Sequence, residues 1–368
     1  MNIMKNKYCY GCGVCAIVCP KQIINLELNE NGFYKPVVKN TSRCIDCGLC
    51  TKVCSFDNRE LASKPSEFQT YAAWTNDDDT RLKSSSGGVA FEIAKYFMSK
   101  GYKFCGVRYN AKKKIAEHYI ADCVELCTAS FGSKYIQSFT LDAFLQIDVK
   151  QKYVVVGTPC QMDSLRKYLQ LKNAENNFIL VDFFCHGVPS IRMFHNYLRN
   201  KERCLGTIGD VRWRDKETGW HDSWVMCFET PQKRIVKSRR SQRDIFYEMF
   251  LGNYCLGPQC YDDCKYKLKK SSADIRLGDL WGNEYEGFEK GVSAVVAMTK
   301  KGENVISELK NCSIYKVDGS VILNSQMKET PRKPFGYGLI RFLLNRNINV
   351  RYLLFLAKCL NKIYRGLR

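Results

Sequence analysis

CYGCGVCAIVCP supplies Cys9, Cys12, Cys15 and Cys19, and CIDCGLCTKVC supplies Cys44, Cys47, Cys50 and Cys54. Both runs read C-x2-C-x2-C-x3-C, and Cys44 follows Cys9 at the same interval of 35 residues as Cys54 follows Cys19. Such a run wraps three thiolates around one corner of an iron–sulfur cube and sends the fourth across to a sister cube. Cys9, Cys12, Cys15 and Cys54 are therefore expected on one 4Fe–4S cluster, and Cys44, Cys47, Cys50 and Cys19 on the other. A pair of zinc knuckles is the competing use, but a tandem third-cysteine repeat is poor zinc spacing. Pro20 follows the first run, whereas Ser55 takes that place after the second.

A further set of cysteines lies deeper in the chain. YVVVGTPCQMDSL (153–165) is an apolar strand, a Pro-containing turn with Cys160, and a helix. NFILVDFFC repeats the layout with Cys185, followed by HGVPS and the helix IRMFHNYL. Strands alternating with helices form a parallel sheet, and ligands bind outside the carboxyl ends of its strands. CLGPQCYDDCKYK adds Cys260 and Cys264, so four thiolates from three segments make a third, closed 4Fe–4S site. Two other uses of Cys160 stay open: a catalytic thiol with His186 as its base, and inert core filling. Inert and buried is the expectation for Cys105, Cys123, Cys127, Cys204, Cys227, Cys312 and Cys359. The C-x3-C-x2-C pattern of radical-generating enzymes is missing.

Two small-residue stretches suit an anion. Ser84, Ser85, Ser86, Gly87 and Gly88 precede a helix beginning near Gly87, and a helix amino terminus favours negative charge. A phosphate or pyrophosphate fits there, and so does a serine cap on an ordinary helix. Gly132, Ser133, Lys134 and Tyr135 put a cation and hydroxyls in a tight turn, which reads as a phosphate loop or as a plain one. VRWRDKETGW (211–220) reads as a hairpin with a charged turn or as a substrate contact, and Asp279 and Trp281 follow a short strand. His186, Tyr135 and Asp279 are the candidate proton donors.

The elements needed to hold these groups define an α/β chain, α+β overall. Residues 1–56 form a small ferredoxin-like module that resembles bacterial two-cluster ferredoxins, with IINLELNENGFYKPVV as a hairpin around Asn-Gly. Residues 57–70 are a polar linker, 71–330 a larger mixed α/β domain, and 331–368 a basic amphipathic helical tail. With 368 residues and 20 cysteines, a chain whose start lacks a signal peptide is expected in the cytoplasm, where thiols serve metals more than disulfides. No apolar run reaches transmembrane length.

GTPCQ, CHGVPS, the cysteine pair near 260, SSSGGV, GSKY, ADIRLGDLWG and GVSAVVAMT, in this order, resemble the beta-subunit family of coenzyme F-420 hydrogenases and dehydrogenases over roughly residues 71–330. The resemblance implies FAD beside a 4Fe–4S cluster, with electrons exchanged with an organic acceptor. Carried over by position, Cys160, Cys185, Cys260 and Cys264 bind that cluster, and Ser85, Ser86, Gly87, Gly88, Ser133, Lys134 and Tyr135 line the FAD. The family has C-x2-C where this chain has Cys260-Tyr261-Asp262-Asp263-Cys264, so either the loop bulges or Cys255 replaces one ligand.

The formal charge is +20. From Thr330 to Arg368 there are nine Lys or Arg and no acidic residue, interleaved with Leu, Ile and Phe. Such helices pack on a domain with a solvated basic edge, or rest peripherally on the anionic face of the inner membrane. No nucleic-acid module is recognisable. An acidic ferredoxin or flavodoxin is the natural electron donor. The sequence reading is thus an iron–sulfur flavoprotein oxidoreductase, with a non-catalytic electron-transfer subunit or redox scaffold as the alternative.

Overall fold

A computed structural model describes residues 3, 8–64, 68–261, 264–326 and 329–366. Most of the initial MNIMKNK and the additional loop residues 262–263 lie outside the described residues.

In the amino-terminal module the expected hairpin is present. β1 (Ile24–Leu28) and β2 (Tyr34–Val38) pair antiparallel, and Asn29 closes the turn by accepting from the Asn31 and Phe33 N–H groups. The internal repeat extends to the backbone. The short helices Val14–Ile17 and Leu49–Lys52 are each preceded by a left-handed glycine, Gly13 at φ 74° and Gly48 at φ 72°. Glycine reaches this conformation without Cβ strain, which lets both thiol runs curl the same way.

The remaining strands are β3 (Gln69–Thr75), β4 (Lys103–Asn110), β5 (Ile115–Ala121), β6 (Ser138–Phe139), β7 (Tyr153–Val156), β8 (Phe178–Phe183), β9 (Asp210–Arg212), β10 (Val225–Glu229), β11 (Ile235–Arg239), β12 (Ile275–Asp279), β13 (Ser293–Ala297) and β14 (Cys312–Lys316). Nine form one mixed sheet in the order β14-β3-β13-β12-β8-β7-β4-β5-β6, and β11-β10-β9 make a small antiparallel one. The centre is parallel as expected, with β7 beside β8 and β8 beside β12. Val154 and Val155 are completely buried, which explains a continuous apolar run in place of alternation.

The module is docked on the large domain. Val14, Ala16 and Leu26 share one core with Met162, Leu165 and Phe178. Gln137 accepts from the Tyr34 N–H and donates to the Tyr10 carbonyl, and the Thr140 hydroxyl donates to the Cys12 carbonyl. Ser55, where the first run has proline, donates its N–H to Ser164 Oγ at 3.1 Å and its hydroxyl to the Cys160 carbonyl at 3.1 Å. Proline there would lack both donors. The described part of the linker is pinned too, with the Ala62 N–H on Asp163 and Lys265 on the Asn58 carbonyl.

Two expectations change. VRWRDKETGW is not a hairpin of its own: only β9 is extended, and it pairs with β10 across a longer connection. The reason is burial, since Trp213 and Trp220 enter two different cores. Cys123 and Cys204 are exposed, not buried. The tail forms the helices Tyr337–Asn345 and Val350–Gly366, packed against an aromatic core. No helix among the described residues is long and apolar enough to cross a membrane.

Candidate functional site

Three cavities carry the thiols and the small-residue loops. Cys19, Cys44, Cys47 and Cys50 line the first. This is the crossed set anticipated from the spacing. Cys9, Cys12, Cys15 and Cys54 lie together as well: the Cys15 thiol is held well above its usual pKa by burial first, then by Cys12, Cys9 and Cys54.

The second cavity is lined by Cys160, Cys185, Cys260 and Cys264. Its assembly follows from the sheet. Cys160 and Cys185 lie just past the carboxyl ends of the adjacent parallel strands β7 and β8. Cys160 is also in the first turn of the helix Pro159–Leu171, which opens with Pro159 and a capping box between Thr158 and Gln161. A helix amino terminus stabilises a thiolate, and the Thr158 hydroxyl lies 3.1 Å from the Cys160 sulfur. Against this, burial raises the Cys160 thiol well above its usual pKa, followed by the crowding of Cys185, Cys260 and Cys264. Burial likewise pushes Cys260 up to about 12. Cys160, Cys185 and Cys260, crowded and desolvated, become thiolates readily only around a compensating cation. Cys255 does not line this cavity; it is buried in the aromatic core.

The third cavity is much larger, about 520 Å³, and shares Cys185, His186, Gly187 and Lys267 with the second. That lies within the volumes usual for drug-sized ligands, roughly 300–1,000 Å³. The two small-residue loops meet on its wall: the Ser133 N–H and hydroxyl reach Ser85 Oγ at 2.7 and 2.9 Å. Ser85, Ser86, Gly88, Ser133, Lys134 and Tyr135 all line it. Gly87 stands behind that wall with its N–H on Ser293 Oγ, and a Cβ there would lie 2.4 Å from the Ala73 carbonyl oxygen. Lys134 is not the free cation its sequence context offered, because its ammonium donates to the carbonyls of Ala129, Phe131 and Gly132.

His186, Tyr135 and Asp279 also line this cavity. Burial and then Lys267 hold the His186 imidazole down to about 4, with Nε2 3.3 Å from the Phe250 carbonyl. Tyr135 stacks on Trp224 at 5.1 Å, and burial raises its hydroxyl.

The residue that joins these groups is Arg214, named in the sequence only as part of a charged turn. It donates to Asp279 at 2.8 Å, to Tyr135 at 3.1 Å and to the Ser85 carbonyl at 3.0 Å. Burial opposes its charge, but Asp279 and Tyr135 more than compensate, keeping its pKa above the ordinary value. Lys216 does the same for the neighbouring backbone, donating to the carbonyls of Arg81, Ser86 and Lys290. Burial and Arg214 lower it to about 7, yet only the ammonium has three protons for three acceptors. A composition of charged and aromatic residues signalled this segment; its partners, 65 and 129 positions away, were not readable.

Gln259 went unremarked in the sequence. It lines the four-thiol cavity, and its buried Nε2 has no acceptor among the described residues.

Two segments of the chain match known protein families. Residues 150–319 match the family described as the carboxyl-terminal part of the coenzyme F420 hydrogenase/dehydrogenase beta subunit, and residues 8–58 match the 4Fe-4S dicluster domain. A curated relative, the coenzyme F420-dependent sulfite reductase of Methanocaldococcus jannaschii, is 25% identical over 168 residues. That match covers 45% of this chain and 26% of the relative, so the chain spans about a quarter of that protein. A chain from the F420-reducing NiFe hydrogenase complex of Methanosarcina barkeri superposes with a TM-score of 0.49 at 18% identity, covering 79% of this chain and 91% of that one. The chain thus carries one segment that matches a 4Fe–4S dicluster domain and a second that is similar to the carboxyl-terminal part of the coenzyme F420 hydrogenase/dehydrogenase beta subunit.

Proposed function

We propose that this protein is an iron–sulfur flavoprotein oxidoreductase in which three 4Fe–4S clusters stand in series with FAD. The observation that carries the reading is the shared wall: Cys185 and His186 line both the four-thiol cavity and the large one. Cys9, Cys12, Cys15 and Cys54 would hold one cluster, Cys19, Cys44, Cys47 and Cys50 the second, and Cys160, Cys185, Cys260 and Cys264 the third. The orphaned Gln259 amide fits a cluster there, because cluster sulfurs accept N–H donors. Bound clusters supply one-electron transfer, and FAD supplies the conversion between one-electron and two-electron chemistry.

The chain's own residues prepare the site. Ser85, Ser86, Gly88 and Ser133 present small polar groups at the large cavity, and Lys216 and Arg214 fix the carbonyls behind them. Arg214 holds Asp279 beside Tyr135, and burial keeps the Tyr135 hydroxyl protonated at neutral pH. That hydroxyl is a candidate proton donor for an organic acceptor. The acceptor class suggested by the relatives' names is coenzyme F420, and a ferredoxin or flavodoxin fits the donor role through the opposite charge of this basic chain.

Anaerobic reconstitution tests the reading, with iron, sulfide and flavin quantified together. About twelve irons and one FAD per chain are expected. About eight irons and no flavin would leave only an electron-transfer module attached to the family domain.

A further inference from the structure

The last two helices bury one side and leave the other uncovered. Ile340 and Leu344, then Val350, Leu353, Leu354 and Ala357, enter the aromatic core at helical spacing. On the far side of Val350–Gly366, Tyr352, Phe355 and Ile363 recur at three and then eight residues, so they form a second apolar stripe. Tyr352 is 70% exposed and Phe355 71%, more than any other large hydrophobic residue among those described. Leu339 and Phe342 add to the exposed apolar surface, and Phe335 stacks on Tyr364 to tie the two helices together.

Isolated exposed hydrophobics are ordinary. Here eight of the seventeen exposed large hydrophobics fall between Phe335 and Tyr364, which makes a patch. Its charge is equally one-sided. Arg351 and Lys362 stand exposed along one edge of the stripe, with Lys358 between them paired to Glu248, and the Arg346 guanidinium lies 4.3 Å from the centre of the Phe342 ring. Nine Lys or Arg and no acidic residue occur from Thr330 to Arg368.

We propose that this face docks on anionic lipid, lying in the plane of the headgroups with Tyr352, Phe355 and Ile363 in the acyl boundary. Aromatic and aliphatic side chains favour that depth, while lysine and arginine reach back to lipid phosphates. A second copy of the chain would bring the same cations face to face. A protein partner would need an apolar surface ringed by carboxylates, whereas anionic lipid supplies both features in one surface. Docking of this kind goes beyond the flavin reading and stands or falls separately from it.

Co-sedimentation of the full holoprotein with phosphatidylcholine vesicles, alone or with 30% phosphatidylglycerol (a probe composition of about one anionic lipid in three), decides the matter. Binding to the anionic vesicles only, weakened by added salt, is expected. Replacing Arg351 and Lys362 with Gln should weaken it about thirtyfold. The pair Tyr352→Ser and Phe355→Ser should weaken it about tenfold or more. Unchanged visible absorbance and far-ultraviolet circular dichroism identify variants that are folded. Salt dependence of the wild type is read without any variant. No binding at low salt, equal binding to both vesicle types, or a dimer abolished by Phe355→Ser would each overturn the proposal.

Discussion

In the amino-terminal module eight thiols come from two short runs, each carrying its own turn glycines. At the third thiol cavity, four come from the end of β7, the end of β8 and a loop near residue 260. The first arrangement is local, so its geometry travels with the motif wherever the motif is found. The second exists only once β7 and β8 pair side by side and the later loop closes over their ends. A local site tolerates change in the rest of the fold, while an assembled one inherits every error in packing.

This difference is open to direct attack, and the largest effect comes from the assembled site. Cys160→Ser should remove the third cluster alone, lowering iron from about twelve to about eight per chain by chemical assay. Retention of all the iron would take Cys160 off the ligand set. Next in size is Arg214→Leu, which leaves the half-buried Asp279 without its partner. A loss of about 3–5 kcal/mol in chemical denaturation is expected, together with loss of flavin at unchanged iron content. If flavin binding survives, Arg214 does not organise the cavity.

Ser55→Ala probes the seam between the two regions. It deletes the hydroxyl donor to the Cys160 carbonyl and should cost about 1 kcal/mol, seen as a lower thermal midpoint. No change would mean that the docked module is held by its apolar contacts alone. The smallest effect is expected from Gln259→Leu. Loss of one amide donor should lower the third cluster's reduction potential by about 40 mV, equivalent to about 1 kcal/mol for one electron, in a titration followed by electron paramagnetic resonance. The two amino-terminal clusters should titrate as before.

Legibility followed the same division. The pairing of Cys19 with Cys44, Cys47 and Cys50 was readable because spacing alone carries it, and the cavity lined by those four residues matches. The layout at Cys160 and Cys185 was readable as two similar strand–turn–helix units, since apolar runs and proline turns are local signals. Arg214 was different. Its sequence neighbours suggest a charged hairpin, yet its side chain is buried between Asp279, Tyr135 and Ser85, all far away in the chain. Lys134 failed in the opposite sense: a lysine in a serine-rich turn suggests phosphate, but three nearby carbonyls take its protons. Hydrogen-bond competition of that kind depends on loop shape, which composition does not encode.

By itself the sequence determined the thiol repeat, the parallel centre of the sheet and the basic, amphipathic character of the last helices. These are properties of spacing and periodicity, fixed within a few turns of chain. The tertiary structure decided that Cys264 and not Cys255 completes the four-thiol wall, that the module is docked through Ser55 and Gln137, and that the thiol cavity shares lining residues with the large one. Each of these depends on which distant surfaces bury one another, and burial is a property of the whole chain.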